Sequence, residues 1–555
     1  MPPKIYYAPR YYTYPNLDLL SILFDPNDYA VGQEDTRVHI DAANTANYID
    51  KARARVLTEN FAHSFRHKYG IGANGHSKDV VVGFSSLQIL LPIAFYGTLA
   101  AGGVFSCASH SFTAAELARQ IKQGDAKLVV CSPDLVKVAV EAAQACGLGL
   151  DRVLVIDSTY RAWGFKSADG KVDCWTDKRL TWKRITDPQE LEDSIIVLLY
   201  SSGTTGVPKA VMLSHKMMVT QIVHASQTAR EWATPRILTG ELVPTPLRTI
   251  AHLPAAHIAG VAGYFVNPVY SGTECYWMHK YEWKKFLEYN RQHKITGFFT
   301  VPAIWARIAK SPDVTDQFAT LKNGLGGAAP MDADLANSAS KRTKIQVGGT
   351  YGMSETTGSV CTLPPGMTDD TGSVGVMHAN TMFRLVDDDG NDVPEGEPGE
   401  LWVKGPMVTK GYYKNPESTK AAFVDGWYCS GDILQQRSNG LWYVTDRKKE
   451  LIKYKGIQVA PAELEGLLLS HPLIEDAAVI GVPGEGTEVP RAYVVADKNK
   501  ISEAEIKEFV KSKTAPYKQL RGGVVYLDQL PRSAVGKILR KDLRDMAKTE
   551  FRAKL

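Results

Sequence analysis

The chain has 555 residues, more than a single hydrophobic core normally supports, so two or more domains are expected. Hydrophobic residues make up 44% and charged residues 22% of the sequence, which is typical of a globular protein and excludes the highly charged, low-complexity classes. The formal net charge of +4 is too small for this length to indicate a nucleic-acid partner.

The seven cysteines are scattered along the chain and form no Cys-x-x-Cys pair. An odd, unpaired set is typical of a reducing compartment and predicts no zinc site. The cysteines are Cys107, Cys131, Cys146, Cys174, Cys275, Cys361 and Cys429.

The first elements of the chain include one long uncharged stretch. The N-terminus lacks the apolar core of a signal peptide. The stretch from Leu87 to Cys107 is long enough to span a bilayer, but it contains one proline and three glycines. We predict a buried helix followed by a buried strand, with a membrane span as the alternative.

Short β-rich runs alternate with helical patterns over most of the chain. The runs "DVVVGFS", "KLVVCS", "RVLVID" and "SIIVLLYS" predict strands, and "AAELARQIKQ" and "DLVKVAVEAAQAC" predict helices between them. Such alternation favours parallel sheets covered by helices. The expected fold class is therefore α/β.

The pattern changes after about residue 385. The segments "FRLVDDDGNDVPEGEPGELWVKG" and "WYCSGDILQQRSNGLWYVTD" read as glycine-punctuated hairpins, which predict a small β-barrel-like part. From Asp446 the chain becomes charged and helical, and strands and a capped helix, "SEAEIKEFVKSK", follow. We place a domain boundary there, giving domains 1–445 and 446–555.

The loop "YSSGTTGVPKAVMLSH" runs from Tyr200 to His215, directly after a predicted strand. Small and hydroxyl residues leave backbone N–H groups accessible, and Lys209 adds a positive charge, so the loop favours a chain of phosphates. It is not a Walker A loop, because only two residues separate its glycines. Taken alone, it is equally compatible with an ordinary polar turn.

Further short motifs with the same chemistry follow. "GLGGAAP" offers a backbone without bulky side chains, on which a flat ring could lie. "GGTYGMSET" places an aromatic ring at Tyr351, a hydroxyl at Ser354 and a carboxylate at Glu355, which suit a base, a phosphate oxygen and Mg²⁺ respectively. Asp432 follows a glycine turn, where a carboxylate could accept both ribose hydroxyls, and Lys537 lies in a loop before a helix.

In this order, the motifs resemble those of the adenylate-forming superfamily of acyl-CoA synthetases, adenylation domains and luciferases, and most closely its 4-coumarate–CoA ligase-like branch. The resemblance covers essentially the whole chain. The segments that carry it are "YSSGTTGVPKAVMLSH", "LPAAHIAG", "GGAAPM", "YGMSET", "GELWVKGPMVTKGYY", "GWYCSGD", "DRKKELIKYKGIQVAPAELE" and "PRSAVGKILRK".

The resemblance implies a large N-terminal domain and a smaller, mobile α+β lid domain that catalyse two steps. A carboxylate first attacks the α-phosphorus of ATP, which releases pyrophosphate and forms acyl-AMP. The thiol of coenzyme A then displaces AMP and gives a thioester. ATP, Mg²⁺ and coenzyme A are the expected cofactors and co-substrates, and a small-molecule carboxylic acid is the expected substrate.

The resemblance also implies roles for individual residues. Lys537 would serve adenylation, Lys453 thioester formation and His257 the gating of the acyl pocket, and Glu355 would hold the metal. The residues implied for ATP or AMP are Ser201, Ser202, Gly203, Thr204, Thr205, Gly206, Lys209, Gly327, Ala328, Ala329, Tyr351, Gly352, Ser354, Asp432 and Arg447. Those implied for the acyl group are His257, Ala259, Gly263, Gly327 and Gly349, and those for coenzyme A are Lys455, Gly456 and Gln458. The hinge is expected at residues 446–449.

The sequence departs from the family pattern around the predicted acyl pocket. Ala256 replaces an aromatic residue before the histidine, and Ala259 stands where plant hydroxycinnamate ligases have tyrosine. With Gly263, these small residues predict a bulkier or longer apolar acid than coumarate. No paired charges predict a charged tail on the substrate.

Two alternative functions remain open from the sequence. A stand-alone adenylation enzyme would load a carrier protein, but no carrier segment follows and the histidine segment lacks an aspartate for an amino-acid substrate. A luciferase-like oxidase of acyl-AMP is the other alternative.

The last three residues, Ala-Lys-Leu, resemble the peroxisomal import tripeptide. They predict a peroxisomal location and an import receptor as a partner; otherwise the expected location is cytoplasmic.

Overall fold

The computed structural model describes residues 3–159, 163–201, 208–448, 450–454, 457–484, 487–532 and 538–553, with only the backbone given for 457–458 and 551–553. The fold is mixed α/β, as predicted: helices cover several sheets in the long N-terminal part, and a smaller α+β part follows.

The first sheet of the described chain has parallel inner pairs and antiparallel edges. Its strands, in spatial order, are Lys209–Ser214, Ile195–Ser201, Val104–Cys107, Val80–Phe84, Ala126–Cys131, Val153–Asp157 and Gly164–Ser167. Val80–Phe84 is fully buried, as expected of a strand covered on both faces. The four strands predicted from β-rich runs all lie in this sheet, so that prediction is confirmed.

Two further sheets complete the parallel-rich layers. One contains Arg248–Ala251, Glu274–Trp277, Arg37–Asp41 and Tyr48–Asp50. The other contains Gly297–Thr300, Asn323–Gly326, Val347–Met353, Gly358–Thr362 and Val376–Met377. The first three strands of this second sheet are parallel, and the chain then turns back twice in antiparallel hairpins.

Helices cover these sheets. They are Leu19–Phe24, Lys51–Tyr69, Leu91–Ala100, Ala114–Gly124, Val136–Gln144, Pro188–Asp193, His215–Leu238, Ile258–Gly260, Asn267–Ser271, Trp283–Gln292, Pro302–Lys310, Ala333–Thr343 and Pro416–Ala422. The predicted helix at Ala114–Gly124 begins with a capping box between Thr113 and Glu116, which satisfies two N–H groups at its start.

The uncharged stretch 87–107 forms the buried helix Leu91–Ala100 and the buried strand Val104–Cys107, as predicted. Among the described residues, no helix has both the length and the apolar character needed to cross a membrane.

An antiparallel sheet corresponds to the predicted β-barrel-like part. Its strands are Tyr6–Tyr7, Met382–Val386, Gly399–Lys404, Trp427–Gln436, Phe423–Val424 and Trp442–Arg447. Both predicted hairpins are present in it, Met382–Val386 with Gly399–Lys404 and Trp427–Gln436 with Trp442–Arg447.

The C-terminal part differs in one respect from the prediction. Residues after Asp446 are not helical at first: Trp442–Arg447 is still a strand of the preceding sheet, and a hairpin of Ile452–Tyr454 and Ile457–Val459 follows. The alternation of apolar and charged residues in "LIKYKGIQV" fits a two-residue period, which the many lysines obscure. The first helix begins only at Pro461.

The rest of the C-terminal part is a three-stranded sheet packed with helices. Its strands are Asp476–Gly484, Thr487–Val495 and Val524–Tyr526, and its helices are Pro461–Ser470, Glu503–Lys513 and Arg540–Ala553. The predicted capped helix is confirmed, since Ser502 and Glu505 form a capping box. The domain boundary at residue 446 stays a prediction.

Candidate active site

Three residues predicted to bind the nucleotide meet at one end of the antiparallel sheet. Asp432 and Arg447 are cross-strand partners in register. Arg447 Nε lies 3.1 Å from Asp432 Oδ1, and the Tyr351 hydroxyl donates a hydrogen bond of 2.8 Å to Asp432 Oδ2. Asp432 is only 4% exposed, so its charge needs these partners. The arrangement places a carboxylate beside an aromatic ring and a cation.

Burial holds the Tyr351 hydroxyl in its neutral form. Burial raises its pKa well above the usual value, and the neighbouring Asp432 raises it further. A neutral phenol is a hydrogen-bond donor, and here it orients one carboxylate oxygen. The site therefore has a fixed acceptor suited to a diol next to a ring suited to stacking.

A second group surrounds Glu355, which lies in a short 3-10 turn, Ser354–Thr356. The Tyr412 hydroxyl donates to Glu355 Oε1 at 3.1 Å, and the Thr409 N–H donates to the Glu355 carbonyl at 2.8 Å. Burial raises the pKa of the Glu355 carboxyl group, and hydrogen bonds from Tyr412 and Ser201 offset only part of this effect. A buried carboxylate of this kind is stabilised when a cation approaches it.

The turn after Glu355 carries backbone strain. Thr357 has a φ of 56°, an unusual value for a β-branched residue, and it is buried. Its hydroxyl donates a 2.7 Å hydrogen bond to the Met407 carbonyl, which helps hold it there. Backbone strain of this type concentrates at functional sites. Here it lies two residues after Glu355, in the turn that orients the Glu355 carboxyl group.

The ends of the predicted phosphate loop converge on the same group. Ser201 and Lys209 are antiparallel cross-strand partners, so the loop leaves and re-enters the sheet at one point. Lys209 Nζ lies 5.0 Å from the centre of the Tyr412 ring, whose hydroxyl bonds Glu355. Tyr412 thus connects the loop's lysine with the predicted metal ligand. Tyr412 is not among the site residues predicted from the sequence, although it lies in the segment "VTKGYY" that contributes to the resemblance.

Several predicted site residues lie outside the described residues. They are Ser202, Gly203, Thr204, Thr205, Gly206, Lys455, Gly456 and Lys537, and for Gln458 only the backbone is described. Their roles remain predictions.

Two glycines predicted to line the acyl pocket, Gly327 and Gly349, have no room for a side chain. We call the predicted acyl residues the acyl wall. A Cβ on Gly327 would lie 2.8 Å from the Thr350 carbonyl oxygen, and a Cβ on Gly349 would lie 2.1 Å from that of Ser373. Glycine at these two positions is therefore required by close backbone packing. Ala328 is exposed and has a φ of 67°, a left-handed conformation that is costly for alanine. Gly352 is similarly close to the Gly358 carbonyl.

His257 begins a helical segment at the predicted acyl pocket. Its Nδ1 accepts a hydrogen bond of 3.3 Å from the Ala259 N–H, and the helix Ile258–Gly260 continues into a π-helix, Val261–Val266. π-Helical turns occur frequently at functional sites. Gly263 lies within this turn, and a Cβ there would meet no atom within 4 Å among the described residues. The small residue therefore leaves open space on this wall.

Lys453 lies in the C-terminal hairpin, directly opposite Gln458. Its side chain is exposed. Its N–H donates to Glu488 Oε2 at 2.9 Å, and its carbonyl accepts from the Thr487 hydroxyl at 2.7 Å. The hairpin is thus held by its own domain, and the register places Lys453 and Gln458 side by side as a pair.

The described residues contain no group of three or more His, Cys, Asp or Glu side chains that could hold a metal by themselves. The chemistry of Glu355 nevertheless fits Mg²⁺, which keeps several waters and takes few protein carboxylates. All seven cysteines are free, and burial raises the pKa of Cys107, Cys131, Cys275 and Cys361 well above the usual value of a thiol.

Comparison with known proteins identifies the family. A model of the AMP-binding enzyme family matches residues 31–413, and a model of the AMP-binding enzyme C-terminal domain matches residues 463–537. The chain therefore belongs to the AMP-binding enzyme family, as the motifs predicted.

Named relatives agree with the predicted branch. A protein of Emericella nidulans named putative acyl-coenzyme A synthetase is 44% identical over 550 residues, which cover 98% of each chain. A 4-coumarate–CoA ligase of Solanum tuberosum is 33% identical over 514 residues, or 89% of this chain and 90% of the relative. The ATP-bound crystal structure of MatB from Rhodopseudomonas palustris superposes with a TM-score of 0.79 at 26% identity, covering 96% of this chain and 99% of MatB.

Proposed function

We propose that this protein is an ATP-dependent, AMP-forming acyl- or aryl-CoA ligase. The observation that carries the proposal is the meeting of Tyr351, Asp432 and Arg447 next to the buried Glu355. One group suits an adenine nucleoside and the other suits phosphates with a metal. Family membership and the names of the relatives support the ligase reaction over carrier loading or oxidation.

In the first step, an oxygen of the acid's carboxylate forms a bond to the α-phosphorus of ATP, and the bond to the pyrophosphate oxygen breaks. Asp432 would accept the ribose hydroxyls, and the Tyr351 ring would lie against the adenine. Lys209 and the loop after Ser201 would bind the outer phosphates, and Ser354 the α-phosphate. Fixed donors and cations lower the cost of the negative charge that develops there.

Mg²⁺, when bound, would supply positive charge to the phosphates, and Glu355 would be its protein ligand. Glu355 is buried and accepts a hydrogen bond from the neutral Tyr412 hydroxyl, which holds its carboxyl group in place. The nearby charge of Arg447 offsets only part of the effect of burial on its pKa. Lys537 would stabilise the adenylation step from the lid.

In the second step, the sulfur of coenzyme A bonds to the acyl carbon and AMP leaves, with the thiol proton passing to solvent. Lys453 and its partner Gln458 would serve this step, with Lys455 and Gly456 beside coenzyme A. His257 lies just before the short helix Ile258–Gly260, which leads into the π-helix. This position suits a gate between the two steps, since a side chain at the start of a helix can turn without disturbing its backbone hydrogen bonds.

The test is pyrophosphate release with ATP and Mg²⁺ over a library of aromatic, medium-chain and long-chain acids, with and without coenzyme A. The variant Asp432→Asn should lower kcat/KM for ATP by about a hundredfold, because it loses the charged acceptor. Asp392→Asn is the matched control, since Asp392 pairs with Arg384 in the same sheet. Absence of pyrophosphate with every acid would refute the proposal, and products other than a thioester would favour one of the alternatives.

We further propose that the chain is peroxisomal, supported by its C-terminal Ala-Lys-Leu. A fluorescently tagged protein should move to the cytosol when this tripeptide is deleted. An unchanged distribution would contradict the proposal.

A further inference from the structure

A buried polar patch lies between the helix His215–Leu238 and the sheet that carries Tyr351. We define the polar patch as Gln221, His224, Thr362 and His378. The His224 and His378 rings stack with their centres 4.0 Å apart and their planes at 26°. Thr362 Oγ1 lies 3.0 Å from His378 Nε2. The patch therefore brings together side chains more than 150 residues apart in the sequence.

Three polar atoms of this patch have no partner among the described residues. They are His224 Nδ1, His378 Nδ1 and Gln221 Oε1, and all three are buried. A buried polar atom without a hydrogen bond costs about 1–3 kcal/mol, so such atoms are rare and each needs an explanation. Gln221 and His224 are one turn apart on the same helix, and His378 stacks on His224, so the three atoms belong to neighbouring side chains. Together they indicate a site that a ligand or water completes.

The polar patch adjoins the predicted acyl wall. A Cβ on Gly327, a predicted acyl residue, would lie 2.9 Å from Thr350 Cγ2, and Thr350 Oγ1 lies 2.9 Å from Thr362 Oγ1. On the other side, a Cβ on Gly358 would lie 3.3 Å from Gln221 Nε2 and 3.7 Å from Ile258 Cγ1. Ile258 directly follows His257, a predicted acyl residue. Gly327 is thus linked to Thr362 of the patch through Thr350, and the residue after His257 is linked to Gln221 through Gly358.

The two histidines are neutral in this environment. Burial lowers the pKa of His224 to about 4 and that of His378 well below the usual value, and the proximity of the rings lowers the His378 pKa further. A neutral imidazole has one donor and one acceptor nitrogen. The patch can therefore bind an uncharged group that both donates and accepts, but it offers no charge for a second carboxylate.

We propose that the polar patch is the far end of the acyl pocket and selects acids that carry a hydroxyl or carbonyl group remote from the reacting carboxylate. This inference rests on the proposed ligase function and names its substrate class. It modifies the prediction of a purely apolar acid: the small residues Ala259 and Gly263 give the pocket its size, and the patch gives it a polar end.

The first experiment compares matched acids in the pyrophosphate-release assay. Each pair has the same carbon skeleton with and without a remote oxygen, such as 3-(4-hydroxyphenyl)propanoate with 3-phenylpropanoate, and 8-hydroxyoctanoate or 7-oxooctanoate with octanoate. For at least one pair, the oxygenated acid should have a kcat/KM about tenfold or more above that of its partner, because a site built for a hydrogen bond rejects an analogue that lacks it.

The second experiment removes the patch's hydrogen-bonding groups. His378→Phe keeps an aromatic ring and should reduce that selectivity ratio about tenfold, mainly by a loss with the oxygenated acid. Gln221→Leu should act in the same direction, and His378→Gln should recover part of the ratio because an amide again donates and accepts. His293→Phe is the matched control: this buried histidine bonds the Ala42 carbonyl and stacks on Tyr276 of a different sheet, so its replacement should leave the ratio unchanged.

Direct binding gives a readout that is independent of turnover. Acyl sulfamoyl-adenosines made from one matched pair should bind the wild type with a tenfold difference in Kd that His378→Phe abolishes. If His378→Phe does not fold, Gln221→Leu and Thr362→Val provide the same comparison.

Equal kcat/KM values within every pair, or an unchanged ratio in the folded variants, would overturn the inference while leaving the ligase function intact. A complete lack of pyrophosphate with every acid would instead refute the proposed function, and this inference with it.

Discussion

Gly263 shows how the absence of a side chain can shape a pocket. It lies in the π-helix after His257, and the space where its Cβ would be is open, whereas Gly327 and Gly349 face backbone oxygens at 2.8 and 2.1 Å. Glycines in the same predicted pocket thus serve two purposes. One leaves volume, and the other two permit close packing.

Gly263→Leu is therefore expected to fill the pocket without unfolding the protein. The ratio of kcat/KM for a short acid over a long acid should rise about tenfold or more, since a few methylene groups are worth roughly 1–3 kcal/mol in such a pocket. Gly349→Ala should instead lower the free energy of unfolding by about 1–3 kcal/mol because of overpacking. The two effects are measured by the pyrophosphate assay and by denaturant unfolding. If Gly263→Leu left the substrate profile unchanged, Gly263 would not line the pocket.

Glu355 illustrates a residue whose function depends on its surroundings. Its sequence context predicted a metal ligand, but its exposure of 7% and its bond to Tyr412 are set by the fold. Burial makes the negative charge unfavourable until a cation arrives, so the same feature that is costly in the free protein favours Mg²⁺ binding.

At the scale of elements, Lys310 links a helix of the N-terminal part to the C-terminal part. Lys310 ends the helix Pro302–Lys310, and its Nζ donates to the carbonyls of Leu469 at 2.6 Å and Ile474 at 2.9 Å. These carbonyls lie at and just beyond the end of the helix Pro461–Ser470, where a positive charge is favourable. Gly466 of that helix packs directly against Asp332, where a Cβ would lie 2.3 Å from a carboxylate oxygen.

We expect Lys310→Met to weaken this lid arrangement, because the variant leaves the helix carbonyls without their charged donor. The fraction of molecules in this lid arrangement should fall about ten- to a hundredfold, in line with about 1.5–3 kcal/mol for hydrogen bonds to a charged group. Energy transfer between dyes placed on the two domains measures the change. Lys341→Met, on the neighbouring helix Ala333–Thr343, is the control. Identical transfer in both variants would show that Lys310 does not hold the lid.

A buried charge network lies under the predicted hinge. Arg540 donates to both oxygens of Glu465, at 2.7 and 2.6 Å, and pairs with Glu450 at 2.9 Å. Asp446 is next to this network and is 3% exposed, and burial raises its pKa to about 7. One arginine thus faces three carboxyl groups, and burial raises the pKa of both Asp446 and Glu465.

The contribution of Asp446 to the free energy of unfolding should therefore fall as the pH rises from about 4 to about 7. Asp446 binds its proton more tightly in the folded chain than in the unfolded chain, so its contribution is most favourable at low pH and is lost through this range, at up to about 1.4 kcal/mol per pH unit. The variant Asp446→Asn removes this pH-dependent contribution, because an amide does not titrate. The melting temperature of the wild type minus that of Asp446→Asn should become smaller from pH 5 to pH 7.5, and a constant difference would contradict the assignment.

At the scale of the whole molecule, the predicted mechanism requires the lid to present two lysines in turn. Lys453 lies in a hairpin that is bound to its own domain through Glu488 and Thr487 and can move with that domain as a unit. Lys537 lies outside the described residues, so its role rests on the resemblance.

Lys537→Ala should abolish most pyrophosphate release while leaving thioester formation from preformed acyl-AMP largely intact, and Lys453→Ala should do the reverse. The reason is that each lysine would reach the reacting atoms in only one lid position. Single-turnover assays of each half-reaction measure the effect. Equal loss of both half-reactions in either variant would reject the two-position mechanism.

The sequence alone determined the fold class, the buried strands of the first sheet, the order of the motifs and the family. These features depend on neighbouring residues: periodicity, caps, turns and short glycine-rich loops are local. The hairpin after Asp446 was missed because abundant lysines obscured its alternating pattern.

Only the tertiary structure decided which distant residues meet. The pairing of Tyr412 with Glu355, 57 residues away, the bond of Lys310 to the lid, and the stacking of His224 on His378 have no local signature. They arise because packing of whole elements brings side chains together and removes water from them, and burial then sets their charge and hydrogen-bonding needs. Local motifs therefore supply the reactive residues of the site, whereas the selectivity of the pocket and the contacts of the lid depend on long-range packing.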